Sequence, residues 1–281
     1  MAGRKRTVVL VAIAALVAVS GIAIAQDWQR GRSRGYSSDG RNGVPTWERN
    51  EHMPTDRFTF VRIEYDSWGG RGGWGGGSWA TDYPDSDLNF SYRLSQLTSM
   101  EVDPDGLILR LTDPRLFEYP FIYIIEPGRL VFRQEEVEAL RKYLLNGGFL
   151  MVDDFWGEDE WANFYTEIKQ VFPDREPVEL SVDHPIFHSV FDLKEKPQVP
   201  SINMALRGAN QGITWERNDA RTPHYKAIYD DSGRMCVIIC HNTDLGDGWE
   251  REGENEWYFK NFSEPRAYPL GINIVFYALT H

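Results

Sequence analysis

The sequence predicts an α/β protein: a three-layer α/β/α sandwich on a mostly parallel sheet, with a C-terminal hairpin and a closing helix. Three observations predict it. From Arg57 onward, short apolar runs alternate with segments of helical periodicity. The runs are short and largely apolar, as in strands that helices cover on both faces. Late in the chain, Asp230-Asp231-Ser232-Gly233 separates two further apolar runs, which is a hairpin signal.

The elements follow in order. Phe58 to Tyr65 reads as a first strand, and Asp87 to Met100 carries a helical period through Leu88, Tyr92 and Leu97. Leu107 to Leu111 and Phe121 to Ile125 are the second and third strands. Gln134 to Leu145 is the clearest helix, because Val137, Leu140, Tyr143 and Leu144 share one face and Asn146-Gly147-Gly148 ends it with residues that tolerate positive φ. Phe149 to Val152 is the fourth strand, and Trp161 to Phe172 is a helix stopped by Pro173. Tyr225 to Tyr229 and Arg234 to His241 flank the hairpin turn, and Pro269 to Leu279 is apolar on most sides, as a buried closing helix is. Residues 57–281 are enough for one core.

Residues 1–25 read as an export signal. Arg4, Lys5 and Arg6 precede an apolar run from Val8 to Val19, and Ala23-Ile24-Ala25 offers small residues to a signal peptidase, leaving Gln26 as the new N-terminus. No Cys lies nearby to carry a lipid, and no adjacent Arg pair marks the twin-arginine route, so the general secretory route is expected. The alternative is a retained membrane anchor, since spans begin at roughly 17 residues. Both readings put the folded part outside the cytoplasm, either periplasmic or extracellular, or held at the inner membrane.

The formal net charge is −12, and losing three basic and no acidic residues with the signal takes it to −15. A surface so acidic repels phosphate backbones, which excludes nucleic acid as an expected partner. Residues 26–56 are rich in Gly, Arg, Ser and Asn without an apolar period, so they are expected to be a largely disordered basic linker. Cys236 and Cys240 lie four residues apart in one strand, about 13 Å along it. A disulfide needs Cα atoms within about 7 Å, so two separate buried thiols are expected.

Several motifs carry a resemblance. Trp79-Ala80-Thr81-Asp82-Tyr83-Pro84, Leu144-Leu145-Asn146-Gly147-Gly148-Phe149-Leu150 followed by Asp153-Asp154, Asp183-His184-Pro185-Ile186-Phe187, and Leu270-Gly271-Ile272-Asn273 together resemble the family catalogued as domain of unknown function 4159. That family is similar to the class I glutamine amidotransferase-like superfamily, so the resemblance implies a flavodoxin-like layered fold and an envelope location. It carries no established activity. Those amidotransferases place a Cys on the turn between a strand and a helix, where this chain reads Asp153-Asp154-Phe155-Trp156-Gly157. Glutamine hydrolysis by that chemistry is therefore not expected.

Ligands of open α/β sheets bind beyond the carboxyl ends of the parallel strands. Three segments that follow strands pair acids with Trp. Trp68, Trp74 and Trp79 sit around the run Gly69 to Gly77; Asp153, Asp154 and Trp156 follow the fourth strand; His241, Asn242, Asp244, Asp247 and Trp249 follow the last. The glycine run lacks the Gly-Lys-Ser/Thr ending of a phosphate loop and reads as a lid or a flexible loop. Trp68, Trp74, Trp79, Trp156 and Trp249, with Asn242, are the candidate ligand contacts, since aromatic faces suit sugar rings and peptides. Asp153 or Asp154 combined with His241 and Asp244 are the catalytic candidates, as a general base or as holders of a divalent cation. Adjacent residues in an extended segment point to opposite faces, so one of the two aspartates is expected at the site and the other to cap a helix or bond backbone. His184 and His188 flank a turn containing Pro185 and are expected to hydrogen-bond structurally.

The expected function is a non-catalytic binding or scaffolding module of the cell envelope for a carbohydrate, a peptide or a partner protein. The alternative is a hydrolase, with or without metal assistance, using an Asp/His site at the carboxyl edge. No organic cofactor is expected, and membrane contact would come through the N-terminal segment if it is uncleaved.

Overall fold

Burial on both faces separates the strand residues into two cores. The computed structural model describes residues 40–50, 56–69 and 78–281. Among these residues nine strands run in chain order: β1 Val61–Ile63, β2 Asp66–Ser67, β3 Leu107–Leu109, β4 Phe121–Ile125, β5 Leu130–Val131, β6 Phe149–Asp153, β7 Val178–Glu179, β8 His224–Tyr229 and β9 Met235–His241. Seven of them form one sheet in the order β3-β1-β4-β6-β9-β8-β7, while β2 and β5 pair separately. The five strands from β3 to β9 are parallel to their neighbours, and β8 and β7 add antiparallel pairs at one edge.

The helices are α1 Asp85–Leu97, α2 Gln134–Leu145, α3 Gly157–Val171, α4 Ile202–Gly208, α5 Leu245–Glu250 and α6 Tyr268–Thr280. In β4, Phe121, Tyr123 and Ile125 join the core that contains Phe90 and Leu94 of α1 and Leu270 and Ile274 of α6. Ile122 and Ile124 join the opposite core with Val137 and Leu140 of α2 and Phe164 and Ile168 of α3. A strand buried on both sides must be apolar throughout, which explains the unbroken Phe-Ile-Tyr-Ile-Ile run. The result is an α/β fold with a mostly parallel seven-stranded sheet, compatible with three layers.

From β1 the chain steps to β3 on one side, then returns to β4 on the other. Connections therefore diverge between β1 and β4, the position where open α/β sheets leave a crevice beyond their strand ends.

Several expectations are corrected here. The linker expectation fails for residues 40–50. Arg41 is buried, pairing with Asp105 and donating to the Pro104 carbonyl at 2.9 Å, and Trp47 Nε1 donates to the Val102 carbonyl at 3.0 Å. Basic residues read as solvated instead close ion pairs with the acids of the 101–105 turn. The expected signal or anchor, residues 1–25, lies outside the described residues, and among the described residues no helix is long and apolar enough to cross a membrane. Helix α3 starts at Gly157, earlier than periodicity suggests, because its first turn is acidic and not apolar: Glu158, Asp159 and Glu160 suit a helix N-terminus. Gly157 has φ 76°, and a Cβ there would lie 2.6 Å from Asp219 Oδ2. Before α6 runs a π-helical stretch, Phe259–Ala267, with Pro265 inside it, which no apolar period announces.

Candidate functional site

Left-handed backbone marks the carboxyl edge of the sheet. β4 is followed by Glu126 at φ 47°, β6 by Asp154 at φ 57° and β9 by Asn242 at φ 62°, and Asp82 lies at φ 61° in the segment that follows β1. Non-glycine residues in this region are uncommon and concentrate where the surroundings over-determine them, often at functional sites.

Arg62 fixes the first wall. It is fully buried on β1. Its guanidinium grips Asp87 of α1, with Nε to Oδ2 at 3.0 Å, and donates from Nη2 to Ser86 Oγ at 2.9 Å. It also donates to the carbonyls of Trp79 and Thr81, both at 2.9 Å, which pins the short 3₁₀ turn Ser78–Ala80 and the Asp82 that follows. Burial disfavours the charged guanidinium, but Asp87 more than offsets this and its pKa is raised.

Asp153 ends β6 and is buried. Its Oδ2 accepts from the amides of Leu245 and Gly246 at 2.9 and 3.0 Å and from Tyr123 Oη at 3.2 Å, so it caps α5. Burial pushes its carboxyl up to about 7, against those donors. Asp154, one residue on, turns out of the strand and accepts from Trp156 Nε1 at 3.1 Å. Asp244 precedes α5, accepting from the Asp247 amide at 2.7 Å. Asp82, Asp154 and Asp244 each offer a carboxylate oxygen, and the three lie within 4.8 Å of one another. Asp82 Oδ2 is wholly buried with no hydrogen-bond partner among the described residues. It faces Gly246, where a Cβ would sit 2.7 Å away, so a side chain there would push this carboxylate aside. A second set, Asp82, Asp247 and Glu250, adjoins it.

Burial first, then mutual repulsion, holds these acids above the usual carboxylate range. For Asp154 the repelling neighbours are Glu126, Asp82 and Asp153; for Asp244 they begin with Asp154, Asp82 and Asp247. For Asp82 they are Glu250 and Asp247. Glu126 rises to about 6, again chiefly through burial.

His241 is not part of this group. Strand alternation turns it to the other face, where its ring lies 4.7 Å from Phe155 and 5.2 Å from Trp161. Nε2 bonds the Gly157 carbonyl at 3.1 Å, and burial lowers its pKa to about 4. The expected pairing of Asp153 or Asp154 with His241 is thus replaced by an all-carboxylate set. Asp82 and Glu250 were missed, although Asp82 stands inside a recognised motif; residues about 70 positions apart meet only through the sheet order.

The aromatic candidates divide. Trp68 is 56% exposed, with Nε1 donating to Asn163 Oδ1 at 2.9 Å and Arg129 over its ring. Trp79 is half-buried. Trp156 and Trp249 are buried, and Trp249 packs 4.5 Å from Phe90, so both supply core contacts where ligand faces were expected. Asn242 is also committed, accepting from the Gly157 amide at 2.9 Å and donating to the Thr222 carbonyl at 2.9 Å. Trp74 lies outside the described residues.

Other motif residues are structural. His184 Nδ1 accepts from the Ile186 amide at 3.2 Å, and His188 bonds Asp192 at 2.7 Å. Asn273 accepts from the amides of Val190 and Phe191 at 2.9 and 2.8 Å. Cys236 and Cys240 are free and buried, and burial pushes the Cys236 thiol up to about 12.

In comparison with known families, residues 59–279 match the domain of unknown function DUF4159. No match was found among curated proteins.

Proposed function

The chain belongs to the DUF4159 family, and from that premise we propose that it is an exported or membrane-tethered envelope protein whose domain binds a ligand at the acid-lined carboxyl edge and does not hydrolyse glutamine. The observation that carries this reading is Asp154. On the amidotransferase-like, flavodoxin-like layering we propose for the domain, the sharp turn after β6 is where a nucleophilic Cys would stand, and Asp154 occupies it at φ 57°. Cys236 and Cys240 sit mid-strand and buried, where a raised pKa quenches thiolate chemistry. Exposed Trp68 and half-buried Trp79 offer aromatic area near that edge for a sugar ring or peptide.

Glycan and peptide arrays probed with the purified chain, beside an Asp154→Asn variant, test the binding reading. A ligand whose capture falls at least tenfold in the variant supports it, and silence of the folded protein on both arrays refutes it. Mass spectrometry of the mature N-terminus tests export: a start at Gln26 means cleavage, and an intact start means a retained anchor.

A second reading, a metal-assisted hydrolase, is favoured by one observation, the convergence of Asp82, Asp154 and Asp244. Turnover of an ester, glycoside or phosphate panel that depends on a divalent ion and disappears in Asp154→Asn would support it.

A further inference from the structure

We propose that Asp82, Asp154 and Asp244 form a binding site for one hard divalent cation of the calcium or magnesium class. This rests on the reading that the acid-lined edge is the binding centre, and it names what that centre holds first.

The geometry carries the argument in three steps. One oxygen from each aspartate lies within 4.8 Å of the others. Oxygen ligands of calcium stand about 2.3–2.6 Å from the ion, so two of them on opposite sides are separated by roughly 4.6–5.2 Å, and adjacent ones by less. The three oxygens are therefore close enough to share one ion of this size.

Asp82 Oδ2 supplies an independent indication. This atom is wholly buried, accepts no hydrogen bond from the described residues, and belongs to the carboxylate that meets the other two. A buried polar atom without a partner is costly unless something else satisfies it. Among the described residues, the nearby side-chain cations are already engaged. Arg62 is held by Asp87 at 2.5 Å, and Arg251 is held by Glu250 at 2.5 Å, Asp247 at 3.2 Å and Glu254 at 3.2 Å. Three carboxylates pressed together repel one another strongly, and a dication between them reverses the sign of that interaction.

The donor set decides the class of metal. It contains only carboxylate oxygens, since His241 faces the opposite side of the sheet and both thiols are mid-strand, and such a set suits calcium, magnesium or manganese over zinc or copper. Stoichiometry follows from Arg251. The adjoining set of Asp82, Asp247 and Glu250 already holds the Arg251 guanidinium between Asp247 and Glu250, so one ion per chain is expected.

The test is calorimetric titration and thermal unfolding of the full chain, stripped with chelator, against calcium, magnesium and manganese chlorides. One site per chain is expected, with a melting temperature several degrees higher at saturating cation. Asp82→Asn and Asp244→Asn remove repulsion, so each is expected to unfold at or above the wild-type temperature without cation while losing at least tenfold in affinity. Asp231→Asn, on the hairpin turn, is expected to respond like wild type. No heat and no stabilisation at millimolar cation, or undiminished affinity in both cluster variants, overturns the proposal. Spermidine titrated in parallel separates the two readings. Silent divalents with spermidine binding lost in Asp154→Asn would sink the metal site and leave the acidic edge as a binding centre. Divalent binding with silent arrays would keep the metal site and sink the glycan or peptide reading.

Discussion

Arg62→Met is the perturbation that probes most directly what builds the candidate site. Arg62 is fully buried, and its partner Asp87 is 1% exposed. Removing the guanidinium leaves a buried carboxylate without a counter-charge, and breaking a buried pair in this way costs about 3–5 kcal/mol. The carbonyls of Trp79 and Thr81 lose charged donors too, but both residues are half-buried and water can reach them, so they add little. A domain stable by about 5–15 kcal/mol would be brought close to its unfolding threshold. Arg62→Lys keeps a positive charge beside Asp87 but cannot reproduce the fork to Asp87, Ser86 and two carbonyls, and a loss of about 1.5–3 kcal/mol is expected for the hydrogen bonds it forfeits. Asp87→Asn in the Arg62→Met background removes the orphaned charge, so the double variant should be more stable than Arg62→Met alone. Urea unfolding followed by far-ultraviolet circular dichroism measures these three variants, the Asp87→Asn single variant and the wild type. If Arg62→Met does not fold, the lysine variant and the double variant still decide the matter. A loss below about 1 kcal/mol in Arg62→Met, or strictly additive effects in the cycle, would refute the claim that this pair supports the edge.

Three further predictions concern the rest of the domain. Folding lowers the His241 pKa from 6.5 to about 4, so between those values the unfolded chain binds the extra proton and stability contributed by the neutral ring is lost as pH falls. Over about 2.5 units this amounts to roughly 3 kcal/mol. Carboxylates with raised pKa oppose it, so the measurement is the difference between wild-type and His241→Gln stability curves; a constant difference across pH 4–6.5 contradicts it. Gly271→Ala would place a Cβ 2.6 Å from Phe90 and 2.7 Å from Trp249, and overpacking of this kind costs about 1–3 kcal/mol; an unchanged melting temperature would show that the contact yields. Cys236 and Cys240 should resist iodoacetamide in the folded protein and react fully in urea, as read by mass spectrometry, whereas prompt native labelling would contradict their burial.

Local pattern determined a good deal by itself. The apolar runs at Phe121 to Ile125 and Phe149 to Val152 announce doubly covered strands because a helix-flanked parallel strand has no solvent side to make polar. The Asp230 to Gly233 turn announces the hairpin because its residues hydrogen-bond their own backbone, as Asp230 does with the amides of Ser232 and Arg234 at 2.9 and 3.0 Å. The expected export signal rests on sequence alone, since residues 1–25 lie outside the described residues. Sequence also pointed to the carboxyl edge, and to Asp154 and Asp244 on it. Only the tertiary structure decided which acids meet. Asp82 and Asp244 are 162 positions apart in the chain, and they come together because β1 and β9 belong to one sheet and Arg62 holds the segment between β1 and α1 over its edge. His241 looked like their partner by proximity along the chain, yet the two-residue period of β9 turned it to the other face, beside Phe155 and Trp161. Chain spacing sets which face a strand residue takes relative to its neighbours, whereas distance between strands depends on sheet order, which no local pattern encodes.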